Sequence, residues 1–297
     1  MSDSPEALRR KIDGASDLEA VVRTMKALAA ASITQYEQAV QALENYNRTV
    51  QLGLSACFRQ HPFNAADAPA HGQTAAILFG SDQGLVGQFN DSLTAFALSQ
   101  LPTQHRSLRL WCVGERVADQ LAAAGLPAAQ VFNVPNSLQG IGALVTDLLT
   151  ALEPHMAQLS SVQVFHNRPQ GGTQYQATGQ RLLPLDTAWK NQVQSLPWPS
   201  KHLAEVLHCG PDTLRAMLNE HLFISLFRAC TESLASENAS RLAAMQRAEK
   251  NINEMLDELR QEFHRLRQNN IDAELFDVVA GYDLLFKKEP RKTDGPA

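Results

Sequence analysis

Thr231-Glu-Ser-Leu-Ala-Ser-Glu-Asn-Ala-Ser-Arg-Leu-Ala-Ala-Met245 is the stretch that decides the fold. It lies in a run of 69 residues, Asp212 to Ala280, that contains neither Pro nor Gly. At about 1.5 Å of rise per residue, such a run makes a rod of roughly 100 Å if it is helical throughout. Helices of that length are rare in compact domains. The stretch is also dense in small residues: Ser233, Ala235, Ser236, Ala239, Ser240, Ala243 and Ala244. Small side chains predict that a partner helix approaches closely here.

Working outward, Pro211 suits the first turn of this helix. Its apolar positions include Leu214, Met217, Leu218, Leu222, Leu226, Cys230, Leu234, Ala248, Ile252, Met255, Leu259, Phe263, Leu266, Leu275, Val278 and Val279, mostly in steps of three and four. The other end of the chain shows the same pattern. From Ser4, a good N-cap before Pro5, apolar or small residues recur at Leu8, Ile12, Ala15, Val22, Met25, Ala29, Ile33, Tyr36, Val40, Leu43, Val50 and Leu54. Gly14 is the one early interruption.

Between the two helices the periodicity changes. His61 to Gly72 is rich in turn formers and reads as a linker. Strands are predicted at Thr74–Phe79, Ser107–Val113, Gln130–Asn133, Ser161–Asn167 and Thr173–Leu185, with a turn at Arg168–Gly172. Helices are predicted at Phe89–Gln100, Glu115–Ala124 and Leu138–Leu152. This alternation implies a mostly parallel α/β sheet with an antiparallel edge pair. Trp189–Ser200 reads as a Pro-rich connector, and Lys201–Cys209 as a short helix. The fold class is thus α/β: a long antiparallel coiled coil of the terminal helices flanking a Rossmann-like α/β insert. Its expected divisions are a helix over 1–60, the insert over 72–186, a second helix over 201–288 and a frayed tail over 289–297. Each long helix buries the other's stripe in this scheme, and the insert sits at one end as a knob.

Composition narrows the function classes. The chain has 297 residues, 44% hydrophobic and 19% charged, as a folded protein does. A net charge of −5 gives no electrostatic footprint for nucleic acid. No apolar run is long enough to span a bilayer and no signal peptide is visible, so any membrane association goes through a partner. Cys57, Cys112, Cys209 and Cys230 form no Cys-x-x-Cys pair and read as buried free thiols. The nine histidines lack metal-ligand spacing, and no nucleophile elbow or Ser-His-Asp order appears. Gly80-x-x-x-Gly84-x-x-Gly87 follows a strand but is neither a dinucleotide fingerprint nor a P-loop, so a tight turn or a contact surface is expected there. Glu232 and Glu237 are about 140° apart around a helix and form no acid pair on one face. Glu237 and Arg241 make an i, i+4 pair worth a few tenths of a kcal/mol if exposed. No catalytic, cofactor or metal site emerges.

Glu232–Met245 resembles the C-terminal motif of the gamma subunit of F-type ATP synthases, the rotating central shaft. Three further segments carry the resemblance. Ser81, Asp82, Gly84, Leu85, Gly87 and Asn90 match that family's glycine-rich turn, with departures at Gln83, Val86 and Gln88. Thr24–Ala31 is similar to its N-terminal Met-Lys segment, although the residues before it depart. Arg267, Gln268, Ile271, Glu274, Asp277 and Gly281 match near the C-terminus, where Asp272 and Tyr282 depart. The departures resemble the alternate, N-type branch. The resemblance implies a rotor subunit without an active site, coupling ion flow through a membrane c-ring to ATP synthesis or hydrolysis in an alpha–beta hexamer. Its implied partners are the alpha, beta and epsilon subunits and the ring, at the cytoplasmic face of the bacterial inner membrane. Implied subunit contacts are Met25, Lys26, Asp82, Gln83, Glu237, Arg241, Arg267, Gln268, Asp272 and Glu274. Two other classes stay open, a coiled-coil adaptor unrelated to rotation and a nucleotide-binding α/β enzyme.

Overall fold

The computed structural model describes residues 4–60, 72–102, 108–185, 187–202 and 211–286. Residues 61–71 of the linker expected over His61–Gly72, residues 203–209 of the helix expected over Lys201–Cys209, and the tail after Phe286 therefore lie outside the described residues. Helix α1 spans Pro5–Gln60 and the last helix, α6, spans Pro211–Phe286. The Ser4 hydroxyl accepts the Ala7 N–H at 3.2 Å, the cap expected from sequence. Gly14 does not break α1. Two compact units divide the chain, one made of the segment through Met25 together with Gln246 onward, the other of Lys26–Met245.

In the first unit α1 and α6 run antiparallel, with Arg23 Nε 3.9 Å from Glu249. Leu8, Ala15 and Leu256 are buried there. The pairing has an end. Counting 18 residues back from Arg23 reaches Pro5, and 18 forward from Glu249 reaches Arg267. From Arg267 to Ala280 every residue of α6 is exposed. The expected seam accordingly fails at Leu275, Val278 and Val279, which are 60%, 70% and 51% exposed. Met255, at 51%, also faces outward rather than into the seam.

The second unit is built on a five-stranded sheet: β1 (Gln73–Phe79), β2 (Leu108–Val113), β3 (Gln130–Phe132), β4 (Leu159–Gly171) and β5 (Gln174–Leu183). Their spatial order is β3-β2-β1-β4-β5, parallel except for the β4–β5 hairpin. Helices α2 (Phe89–Gln100), α3 (Glu115–Ala123) and α4 (Leu138–Leu152) alternate with the strands. Central β1 is buried on both faces, which is why it reads as a continuous apolar run. Ala76 and Leu78 pack with Leu93 of α2 and Leu121 of α3. Ala75, Ile77 and Phe79 point the other way, toward Leu148 of α4 and Leu226, Cys230 and Leu234 of α6. Each such aliphatic side chain contributes about 1.5–3 kcal/mol on full burial.

This layer adds to the expected scheme. Within the Lys26–Met245 unit, α6 is one of the layers covering the sheet, not only the partner of another helix. A third cluster joins Val50, Leu54 and Phe58 of α1 to Ile224 of α6 and Val193. Val193 lies on α5 (Thr187–Gln194), a helix that overlaps the stretch that reads in the sequence as a connector. Those eight residues contain no Pro or Gly, and only the flanks do. The β4–β5 turn is also tighter than expected: Arg168 to Gly171 belong to β4, and the chain reverses at Gly172 and Thr173.

Candidate subunit-contact surfaces

Every residue from Thr231 to Ser240 is buried. The stretch meets α1, where Tyr36 shares a cluster with Leu234 and Ala235, and its serines also admit the strands of the sheet. Ser233 Oγ donates to the Phe79 carbonyl at 2.8 Å, where β1 ends. Ser236 Oγ donates to the Asn167 carbonyl of β4 at 2.9 Å. Ser240 Oγ donates to the Val86 carbonyl in the glycine-rich turn and lies 3.2 Å from the Tyr175 hydroxyl of β5. Steps of three and four place these three serines on one helix face. In the sequence these serines read as small residues, not as donors. Their spacing was the available signal.

The turn at 80–90 is held by its own side chains. Asn90 Oδ1 accepts the Ser81 N–H at 3.0 Å, and Asn90 Nδ2 donates to Ser81 Oγ at 2.8 Å. Asp82 reaches further. Its Oδ1 accepts the Glu115 N–H at the start of α3, 3.1 Å away, and its Oδ2 accepts the Val134 N–H at 2.8 Å. A carboxylate at a helix N-terminus satisfies an otherwise orphaned donor and complements the helix dipole. Gly80 lies so close to α3 that a Cβ there would sit 2.5 Å from Val117 Cγ1. Leu85, at φ 64°, presents its side chain outward, 62% exposed.

Two ion-pair systems flank this contact. Glu232 is buried and receives His166 Nε2 at 2.8 Å, Arg168 Nε at 3.0 Å and Arg228 Nε at 2.7 Å. Burial pushes its carboxyl up, but hydrogen bonds from His166 and Arg228, the His166 charge and Arg168 outweigh that and hold it at about 2. Glu237 pairs with Arg241 at 2.5 Å, with side chains only 7% and 15% exposed. The pair, weak if exposed, is largely buried, with its desolvation cost and Coulomb energy both enlarged. Burial raises the Glu237 carboxyl, Arg241 opposes that, and Asp82 adds to the rise. Burial also raises the Tyr36 phenol, reinforced by Cys230 and Glu237.

Asp82, Gln83, Glu237 and Arg241 surround one cavity of about 170 Å³, together with Tyr36 and Asn238. The structure thus brings together four of the ten residues singled out from sequence. Met25 and Lys26 are half-buried on α1. Arg267, Gln268, Asp272 and Glu274 are all exposed on α6. Around them Ile271, Leu275, Phe276, Val278, Val279 and Tyr282 are 51–72% exposed. A run of large apolar side chains open to solvent on every side of a helix is the mark of a contact surface. Among the described residues no helix is long and apolar enough to cross a membrane, and no group of three His, Cys, Asp or Glu is arranged to hold a metal.

The family model described as ATP synthase matches residues 4–285. Similar relatives are the ATP synthase gamma chain of Moorella thermoacetica, 27% identical over 287 residues, and that of Rhodospirillum rubrum, 24% over 295. In both cases the match spans 94% of this chain and 98% of the relative. Among solved structures, a chain of the Euglena gracilis mitochondrial ATP synthase (OSCP, F1 and c-ring) overlays with a TM-score of 0.64 at 16% identity, covering 98% of each. One from the central stalk and c-ring of the Tetrahymena thermophila enzyme overlays at 0.56 and 20% identity, covering 77% of this chain and 99% of that one. The chain belongs to the ATP synthase family, as a gamma subunit of the rotary enzyme.

Proposed function

We propose that this gamma chain is a torque-bearing shaft that performs no chemistry itself. It works between a membrane c-ring with an epsilon subunit and an alpha–beta hexamer that makes or hydrolyses ATP, peripheral to the cytoplasmic face of a bacterial inner membrane. The observation that carries this reading is the end of α6. From Arg267 to Ala280 every residue of the helix is exposed, yet this end of α6 bears large apolar side chains among charged ones. Such a surface is costly in water and calls for a surrounding sleeve of other subunits. Polar neighbours such as Arg267, Gln268, Asp272 and Glu274 give that surface different faces in different directions. A shaft with an asymmetric surface shifts the conformational populations of each catalytic subunit it passes, through differential contacts.

Met25 and Lys26 belong to this reading as contacts with beta subunits, as do Arg267, Gln268, Asp272 and Glu274. Asp82, Gln83, Glu237 and Arg241 shape a further contact at the glycine-rich turn. Departures from the family motifs at Gln83, Val86, Asp272 and Tyr282 support assignment to the N-type branch. Co-expression with alpha and beta subunits tests the function. A stable complex whose ATPase depends on this chain is expected; failure to co-assemble would overturn the reading. The branch is tested by the neighbouring reading frames, which should encode N-type rather than housekeeping ATPase subunits.

A further inference from the structure

The cavity beside the glycine-rich turn lies within the Lys26–Met245 unit, walled by α1, the turn itself, the segment after β3, and α6. Its described lining residues set two carboxylates, Asp82 and Glu237, against one guanidinium, Arg241. Arg241 is already committed. It donates to Glu237 Oε1 at 2.5 Å and to Asn238 Oδ1 at 3.2 Å. Asp82 is held by two backbone N–H groups, which carry no full charge to balance its own. That charge reaches Glu237, whose carboxyl it helps to raise.

Two polar atoms at this cavity are left over. Glu237 is 6% exposed, and its Oε2 has no hydrogen-bond partner among the described residues. Tyr36 is 5% exposed, and its hydroxyl likewise has none. A carboxylate oxygen accepts only, and a phenol oxygen accepts as well as donates. Buried polar groups are ordinarily paired, so the two oxygens call for a donor from outside. The unbalanced carboxylate makes a cationic donor the fitting one.

The surroundings show what brings that donor. Leu85 projects from the turn into solvent, two residues beyond Gln83. Leu28, Ser32 and Tyr36 follow one another on one face of α1 at steps of four, and Leu28 is exposed. Large apolar side chains left in water on two sides of a polar pocket mark a surface that another protein covers. Lys26, assigned above to a beta-subunit contact, precedes Ser32 by about 9 Å along the helix.

We propose that this cavity is a socket for a lysine or arginine side chain of a beta subunit, whose N–H groups donate to Glu237 Oε2 and to the Tyr36 hydroxyl. The inference rests on the rotor reading above and gives its contact at the glycine-rich turn a sign: the inserted group is basic. Apolar neighbours of that group cover Leu28 and Leu85.

Charge swaps at Gln83 test this. Gln83 lines the cavity and is exposed, so Gln83→Glu and Gln83→Lys should leave the unfolding midpoint of the free chain unchanged. Titration of the full chain with alpha and beta subunits should find Gln83→Glu the tightest binder and Gln83→Lys the weakest, about fivefold or more apart. The gap should narrow in about 0.5 M salt. Tyr36→Phe should weaken the same binding about fivefold without lowering the stability of the free chain, where the hydroxyl bonds nothing. The reverse order at Gln83 would identify an acidic partner group and overturn the proposal. Equal affinities for the two charged variants would do the same, as would Tyr36→Phe binding at wild-type strength. If the wild-type chain itself did not assemble with alpha and beta subunits, the rotor reading would fail and this inference with it.

Discussion

Ser233 on α6 and Phe79 at the end of β1, 154 residues apart in sequence, are joined by a 2.8 Å hydrogen bond from hydroxyl to carbonyl. This bond shows why the helix is so dense in small residues just here. A Leu or Lys at 233 would hold the strand end away. Ser233→Ala keeps the close approach but removes the hydroxyl that the buried carbonyl accepts from, and is expected to cost about 0.5–1.5 kcal/mol. Ser233→Val adds bulk as well as losing the donor, so it should cost more than the alanine. Urea unfolding of both variants checks the order. Equal midpoints for wild type and Ser233→Val would contradict the contact.

The buried ion cluster makes stability depend on pH, with a definite sign. The Glu232 carboxyl sits at about 2 against its ordinary 4.5, so the folded chain binds that proton more weakly than the unfolded one. Its contribution is complete above pH 4.5 and drains away as pH falls toward 2. His221 acts earlier. Burial lowers it from 6.5 to about 4, so the unfolded chain takes up the proton first and stability falls between pH 6.5 and 4. Each step is worth up to about 3 kcal/mol. Denaturation midpoints measured from pH 8 downward should decline in two stages, with His221→Phe abolishing the upper stage and Glu232→Gln the lower. A wild-type profile flat from pH 7 to 4 would refute the first assignment.

The elements themselves were legible in the sequence. Periodicity located α2 and α4 to the residue, and the apolar run at 74–79 located β1, because local pattern decides those structures. What faces each stripe was less legible. Small residues at 233, 236 and 240 announce a close approach without saying whether a helix or a strand end makes it. Leu275, Val278 and Val279 continue the stripe of Leu259 and Leu266, yet in the antiparallel register the other helix has already run out. Helical spacing cannot report where a partner stops. The residues gathered near Asp82 were legible only through the family motif, since Asp82's two backbone partners lie 33 and 52 residues away.

Gly114 is where α3 meets the glycine-rich turn. Its φ is +104°, and a Cβ there would lie 2.7 Å from the Ser81 backbone nitrogen. Gly125 also has a positive φ, +82°, but its Cβ would meet nothing within 4 Å. Both alanine substitutions therefore incur conformational strain of about 1–3 kcal/mol, while only Gly114→Ala must also displace backbone. Gly114→Ala is expected to unfold at clearly lower urea than Gly125→Ala. Equal effects would mean that the turn moves aside freely.

The exposed end of α6 should separate stability from function. Leu8 is fully buried in the first unit, and Leu8→Ala should cost about 2–5 kcal/mol in the isolated chain. Phe276 and Val278 are 72% and 70% exposed, so replacing both with Ser should leave isolated stability within about 0.5 kcal/mol. Assembled with alpha and beta subunits, the same pair of serines removes apolar area that a sleeve would otherwise cover, and ATPase coupling should fall. Arg267→Ala with Gln268→Ala should also impair coupled ATPase without altering isolated stability. Denaturation of the free chain alongside ATPase of the complex measures both sides. If the serine pair and the alanine pair left coupled ATPase at the wild-type level, the end of α6 would have no role in torque, and its exposed apolar side chains would need a different partner.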